Sequence, residues 1–274
     1  MLERAIQIDN VHVDYPVAGQ AARSVLNGIS LQIESGEFVA IVGETGCGKS
    51  TLLRLILGEE KPTRGRLLLN GCERWQPDRH CGYVPQKYSL FPDKTVLDNV
   101  TFGPEVTAFG AWSGLRWIRP LQMRRFREEA LRYLRHTGLD ESDARKYPYQ
   151  LSGGMQQRVA IAQALIMKPH ILLMDEAFSA LDPATRTGMQ RLIKKLWRES
   201  GATVVFVTHN TREAVCLGTR VIALAKNGDE NRGSSIALDL GVPDLDFDSE
   251  EIDIGNLVRE VDRATVRERP LVYN

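Results

Sequence analysis

The run Phe38-Val-Ala-Ile-Val42 leads directly into Gly43-Glu-Thr-Gly-Cys-Gly-Lys-Ser50, and from there into the helix-like segment Ser50 to Leu57. Five consecutive apolar residues are a strand that needs cover on both faces, as in a parallel sheet. The glycine-rich turn has the spacing of a phosphate-binding loop: two glycines, then a lysine and a hydroxyl. Backbone N–H groups around Gly46 and Gly48 wrap phosphate oxygens only where no side chains intervene. Lys49 supplies positive charge to the β- and γ-phosphates, and the Ser50 hydroxyl is a ligand for Mg²⁺. The helix that follows points its positive end at the same place. Gly58 stands where helices commonly end.

The rest of the chain fits this start. Ile6 to Val13 and Ser30 to Ile33 alternate as strands, and Leu67-Leu-Leu-Asn-Gly71 enters an Asn-Gly turn. From about 95 to 150 apolar residues recur at helical spacing (Leu131, Leu134) among dense arginines (Arg116, Arg119, Arg124, Arg125, Arg127, Arg132, Arg135), which predicts a helical insertion. Ser152 to Met167 then reads as helix and Ile171 to Met174 as a buried strand. Asp182-Pro183 opens another helix, and Thr203 to Val207 and Val221 to Ala225 are further strands. Such alternation predicts an α/β fold with a largely parallel sheet. A length of 274 residues allows one or two domains.

Composition narrows the function. Lys+Arg and Asp+Glu are both 35, so the net charge is 0, and a chain that grips nucleic acid through charge is basic. Mean hydropathy is −0.24, and no uncharged apolar run approaches the roughly 18 residues of a membrane helix. The first ten residues lack a signal-peptide core. None of Cys47, Cys72, Cys81 and Cys216 forms a CxxC pair, which fits reduced thiols in a cytosolic protein. Cys72, His80 and Cys81 lack the four-ligand pattern of structural zinc. From Asn227 onward the chain turns acidic (Asp229, Glu230, Asp239, Asp244, Asp246, Asp248, Glu250, Glu251, Asp253) and reads as a loosely ordered stretch or an acidic extension, 227–274.

Ile171-Leu-Leu-Met-Asp-Glu176 is a buried strand ending in two carboxylates. Asp175 is placed to hold Mg²⁺ and Glu176 to act on an attacking water as general base. Leu151-Ser-Gly-Gly-Met-Gln156 adds a serine N-cap and two glycines at a helix start, a second anion-binding site in the same chain.

This last run, with Gln157-Arg158-Val-Ala-Ile-Ala-Gln-Ala behind it, resembles the signature motif and helix of ATP-binding-cassette (ABC) ATPases. Met155 stands where that family most often has Gln. Gln86, after Gly82-Tyr-Val-Pro85, matches the family's Q-loop glutamine. Ser179-Ala-Leu-Asp182 matches its D-loop, His209 its switch histidine, and Tyr15 the aromatic that stacks on adenine. The resemblance covers roughly residues 4 to 226. It implies an ABC-type nucleotide-binding domain: a RecA-like P-loop NTPase core, an antiparallel β subdomain, and a helical subdomain at about 95–165. It implies ATP and Mg²⁺ as cofactors. Gly43, Glu44, Thr45, Gly46, Cys47, Gly48, Lys49, Ser50 and Thr51 would bind the nucleotide with Tyr15 and Gln86. Ser50, Gln86 and Asp175 would take the metal, and Glu176, His209, Gln86 and Lys49 would be catalytic. Ser152, Gly153, Gly154 and Asp182 would reach a partner subunit's ATP in a head-to-tail dimer.

The family's DNA-repair members carry a long coiled coil between Q-loop and signature, and only 65 positions separate Gln86 from Leu151 here. Translation members carry two cassettes and this chain has one. The resemblance therefore implies a stand-alone transporter subunit at the cytoplasmic face of the membrane. Its partners would be transmembrane permease subunits, a second copy of itself and, indirectly, a periplasmic or extracellular solute-binding protein, with no nucleic acid. Leu26-Asn-Gly-Ile-Ser-Leu-Gln-Ile33, Gly36-Glu-Phe-Val-Ala-Ile-Val-Gly43 and Thr95-Val-Leu-Asp-Asn-Val100 are similar to the nitrate, sulfonate and taurine importer group, although Asp93 follows Pro92 where that group usually has Trp. An ATPase for amino-acid import or for export, or one acting on a soluble partner, stays open beside this. Ala108 to Arg127, with Phe109, Trp112, Trp117 and five arginines, reads either as an amphipathic surface or as a docking surface for membrane subunits or anionic lipid. Cys47, beside Lys49 and a helix start, is expected to have a low thiol pKa, with ATP protecting it from alkylation.

Overall fold

The computed structural model describes residues 4–19, 21–73, 76–78, 80–87, 90–109, 119–227, 232–244 and 251–265. The organising element is one ten-stranded sheet that changes character partway across. Strand β3 (Phe38–Gly43) lies near its middle, parallel to β8 (Thr203–Val207) on one side and β9 (Arg220–Lys226) on the other. Beyond β8 come β7 (Ile171–Asp175) and β6 (Cys81–Val84), both parallel to their neighbours. The opposite half is mostly antiparallel: β1 (Arg4–Tyr15) pairs with β2 (Arg23–Glu34) and with β4 (Arg64–Leu69), and the short β5 (Cys72–Glu73) closes the edge. The turn between β4 and β5 has both Asn70 and Gly71 at positive φ (49° and 75°), the backbone a two-residue hairpin turn requires.

Strand β10 (Arg232–Gly241) joins the two halves. It runs antiparallel to β9 and parallel to β2. It lies inside the stretch whose acidic composition reads as loose tail. Ile236, Leu238 and Leu240 are only partly buried, and an irregularity between Ile236 and Leu238 breaks the alternation that marks a strand in sequence. Helix α7 (Glu251–Thr265) then packs on α6 (Thr211–Leu217), β9 and β10. The acids of this stretch meet basic residues of the core. Asp239 pairs with Arg220 at 2.7 Å, and Asp244 pairs with Lys194 at 2.9 Å and Arg198 at 2.8 Å.

The apolar run of β3 divides between two cores. Val39 and Ile41 face one, with Leu52, Leu53 and Ile56 of α1 (Lys49–Leu57). Phe38, Ala40 and Val42 face the other, with Phe206, α6, and Val242, Ile254 and Val261 from the acidic stretch. Both faces are therefore covered, as the continuous run predicts. A third core gathers Val96 and Val100 of α2 (Val96–Phe109), Ala130 and Leu134 of α3 (Arg119–His136), and Val159, Ala162 and the adjoining Ile166 on α4 (Gly153–Leu165). On α3, Arg124 and Arg132 pair with Glu128 and Glu129, and Arg135 with Glu141 beyond it. Phe109 meets Phe126 with ring centroids 6.3 Å apart. Trp112 and Trp117 lie outside the described residues.

Candidate nucleotide site

The site forms where the parallel strands end. Strand β3 delivers Gly43, and the loop turns through Gly46 and Gly48 into α1, whose first turn holds no acid to compete with a phosphate. Gly48 caps α1 at φ 91°, and a β-carbon there would lie 2.7 Å from Leu26 Cδ2, so position and packing both demand glycine. Lys49 Nζ donates to the carbonyls of Gly43 (2.7 Å) and Glu44 (3.0 Å), which holds the ammonium over the loop.

Strand β7, one strand beyond β8, brings in the carboxylates. Asp175 is 5% exposed. Burial raises its pKa, and the Ser50 hydroxyl and Lys49 act against that rise. A buried carboxylate beside a hydroxyl at a phosphate loop is an oxygen donor set of the kind Mg²⁺ takes. Glu176 follows at φ +46°, a conformation uncommon outside glycine, fixed by its N–H donating to the Val207 carbonyl at 2.9 Å. Its Oε2 accepts from Gln86 Nε2 at 2.8 Å and lies 3.3 Å from His209 Nδ1. Gln86 follows β6 and His209 follows β8, so three strand ends converge on one carboxylate.

The structure thus brings Lys49, Ser50, Asp175, Glu176, Gln86 and His209 together. Tyr15 ends β1 with its hydroxyl beside Thr51 and Glu60; burial pushes that hydroxyl's pKa up, and Glu60 adds to the rise. Ser152 caps α4, accepting from the Met155 N–H at 3.3 Å. Gly154 of the signature meets the D-loop: a β-carbon there would sit 3.4 Å from Leu181 Cδ2 and 3.8 Å from the Ala180 carbonyl. Asp182 caps helix α5 (Pro183–Ser200), accepting from the Thr185 N–H at 3.1 Å.

The expectation for Cys47 is overturned. Its side chain is fully buried in the first core, and burial raises the thiol pKa over the opposing pull of Lys49 and Lys226. The chain carries the thiol under the loop, against Gly43, away from the surface that faces a ligand. Lys226 is a basic residue that motif reading misses. Its Nζ lies 3.8 Å from where a β-carbon on Gly46 would be, so a second cation borders the loop. It sits at the end of β9, 180 positions beyond Gly46, and only the sheet order places it there.

A phosphate loop at the end of a central parallel strand, with a carboxylate pair on β7, defines a P-loop nucleotide hydrolase. The additional signature and D-loop segments narrow that class. The chain belongs to the ABC transporter family, whose model matches residues 26–179, and it is an ATPase with the ABC-type fold. It is 42% identical over 220 residues to the ABC transporter ATP-binding protein MJ0412 of Methanocaldococcus jannaschii, covering 80% of this chain and 77% of that protein. It is 43% identical over 221 residues to the aliphatic sulfonates import ATP-binding protein SsuB of Pseudomonas putida, covering 81% of this chain and 74% of that one. SsuB 3 of Pseudomonas syringae pv. syringae is 45% identical over 203 residues, 74% and 68% of the two chains. Among solved structures, the dimeric post-hydrolysis state of the ATP-binding cassette MJ0796 with ADP and Pi superposes with a TM-score of 0.74 at 34% identity. That match covers 87% of this chain and 99% of the other.

Proposed function

We propose that this protein is the ATP-hydrolysing subunit of an importer for sulfonate-type small solutes, working through separate membrane subunits. The observation that carries the solute class is the identity of 43% and 45% to two sulfonate import ATP-binding proteins over most of this chain. Among the described residues no helix is long and apolar enough to cross a membrane, which fits a subunit bound at the cytoplasmic face. Phe91, Tyr147 and Tyr149 are exposed aromatics around the helical subdomain, and Tyr147 and Tyr149 stack with centroids 5.7 Å apart. They offer the membrane subunits an apolar foothold.

In this reading two copies close head to tail around ATP. The loop from Gly43 to Thr51 holds the phosphates, and Tyr15 packs on the adenine. Ser152, Gly153 and Gly154 seal the partner's γ-phosphate while Asp182 borders the same site. Ser50 and Asp175, with Gln86 nearby, would hold Mg²⁺, which when bound offsets charge on the phosphate oxygens. Glu176 accepts the proton of the attacking water, and Gln86 and His209 fix the direction of its carboxylate. Lys49 balances charge on the transferring phosphoryl group.

Tagged Glu176→Gln protein, recovered from membranes with ATP, tests the assembly. A co-purifying multi-span permease pair is the expected result, and its binding protein then allows sulfonates to be tested directly. Recovery from the soluble fraction alone removes the transport reading and leaves the ATPase.

A further inference from the structure

Arg158, in the second turn of the signature helix α4, hydrogen-bonds in two directions. Its Nη1 donates to the Gly138 carbonyl at 2.8 Å, and its Nη2 donates to Thr185 Oγ1 at 2.8 Å. Gly138 lies in the turn that leaves α3, at φ +75°, and a β-carbon there would sit 3.1 Å from Arg158 Nη1. Thr185 is in the first turn of α5, the helix that Asp182 caps. One guanidinium therefore ties the start of the signature helix to the end of α3 and to the helix behind the D-loop. The Gly154–Leu181 approach is a second contact between the same two motifs. The guanidinium fork is rigid and its donors have fixed directions, so it sets both distance and angle, which a lysine ammonium does not.

We propose that Arg158 is a positioning residue that holds the Ser152–Gly154 turn in register with the D-loop, so that both enter the partner subunit's nucleotide site as one unit. The inference rests on the head-to-tail reading above. Signature and D-loop belong to different parts of the fold, the helical subdomain and the α/β core, and chain connectivity alone does not fix one against the other. A misplacement near 1 Å costs far more at a closed nucleotide site than in the separate subunit.

The test uses the full-length chain in a Glu176→Gln background. Thr185→Val removes the hydroxyl, which accepts from Arg158 and also hydrogen-bonds the Asp182 carboxylate; it keeps the branched shape and leaves the backbone N–H that Asp182 caps, whereas the Arg158 variant leaves the Thr185–Asp182 bonds in place. Arg158→Lys removes the fork and keeps the charge. The expected result for each is an ATP-dependent dimer dissociation constant raised about tenfold in sedimentation experiments. ATP affinity of the separate subunit stays at the background value, and the Tm falls by no more than the several degrees that losing these intrachain hydrogen bonds costs. A dimer constant within about twofold of background for Thr185→Val overturns the inference. Loss of subunit ATP affinity in step with dimerisation also overturns it, since that is general structural damage. If the background protein itself stays monomeric with ATP, the head-to-tail reading fails and the inference falls with it.

Discussion

Gln86 donates from Nε2 to Glu176 Oε2 at 2.8 Å across 90 positions of sequence. The same oxygen lies 3.3 Å from His209 Nδ1. The carboxylate that follows β7 is thus aimed from the two strands that flank it, while its own backbone sits at φ +46°. Strain at Glu176 and two side-chain contacts on one oxygen together hold a single orientation.

That arrangement separates the hydrolytic step from binding. Glu176→Gln removes the proposed proton acceptor but keeps the shape and touches none of the phosphate-loop groups. Turnover is expected to fall on the order of a hundredfold or more, while ATP affinity survives and ATP-bound dimers accumulate. Gln86→Ala should lower turnover less, because His209 still touches Glu176. Steady-state ATPase rates beside equilibrium nucleotide binding check both. Wild-type turnover in Glu176→Gln removes that residue from the base role.

Cys47 gives a second contrast. Its raised thiol pKa and full burial mean less thiolate at neutral pH than an ordinary cysteine carries. Exposed Cys72 should therefore take maleimide first, with Cys47 reacting slowly and faster as pH rises. Peptide mass spectrometry over time at pH 7 and pH 9 reads this. Fast labelling of Cys47 at pH 7 contradicts the buried position. Because the thiol packs under Gly43, complete labelling of Cys47 should abolish ATP binding, whereas Cys47→Ala, which removes bulk, should retain it.

Part of the candidate site was legible because those residues sit at a strand end or helix start, where a short motif and its flanking pattern coincide. Lys49, Asp175, Glu176 and Ser152 could be placed from their own ten residues. Gln86 and His209 needed the family resemblance, since a lone glutamine or histidine has no local pattern. Lys226, the Arg158–Thr185 bond and strand β10 were not legible: each depends on sheet order or on contacts between distant segments. In β10 and just after it the charge count also misled. Asp239 and Asp244 look like solvated tail residues, yet they complete ion pairs with Arg220, Lys194 and Arg198.

Asp143 links acid stability to the loop before the signature. It is 7% exposed, accepts from Lys146 Nζ at 2.6 Å, and takes the Asp140 N–H at 3.0 Å. The Lys146 hydrogen bond, aided by Asp140, holds its carboxyl below the usual range despite burial. A depressed folded pKa contributes stability that is fully present above the unfolded value, roughly 4, and is lost as pH falls through the folded value. Asp143→Asn should cost about 1–2 kcal/mol at pH 7. Urea unfolding of both proteins should show the difference shrinking as pH drops from 5 towards 3. A difference independent of pH would assign the loss to packing.

The stretch after Asn227 is the last test, because its composition and its structure point in opposite directions. Ile254 and Val261 of α7 are 1% and 0% exposed, and Leu257, Val258 and Ala264 pack partly buried on the same core. Asp262 also accepts from the Thr211 hydroxyl at 2.6 Å, at the start of the helix that follows His209. Each fully buried aliphatic side chain is worth about 1.5–3 kcal/mol, against a total stability of about 5–15 kcal/mol. Ending the chain at Asp244 should therefore lower Tm by many degrees and cut soluble yield relative to a chain that ends at Thr265. Ending it at Asn227 removes β10 as well and leaves β2 and β9 with unpaired edges, which should drive the protein into aggregates. Soluble yield and Tm for the three truncations decide the matter. If the chain ending at Asp244 melts with the full-length protein, α7 is an appendage and its buried residues contribute nothing to the cassette.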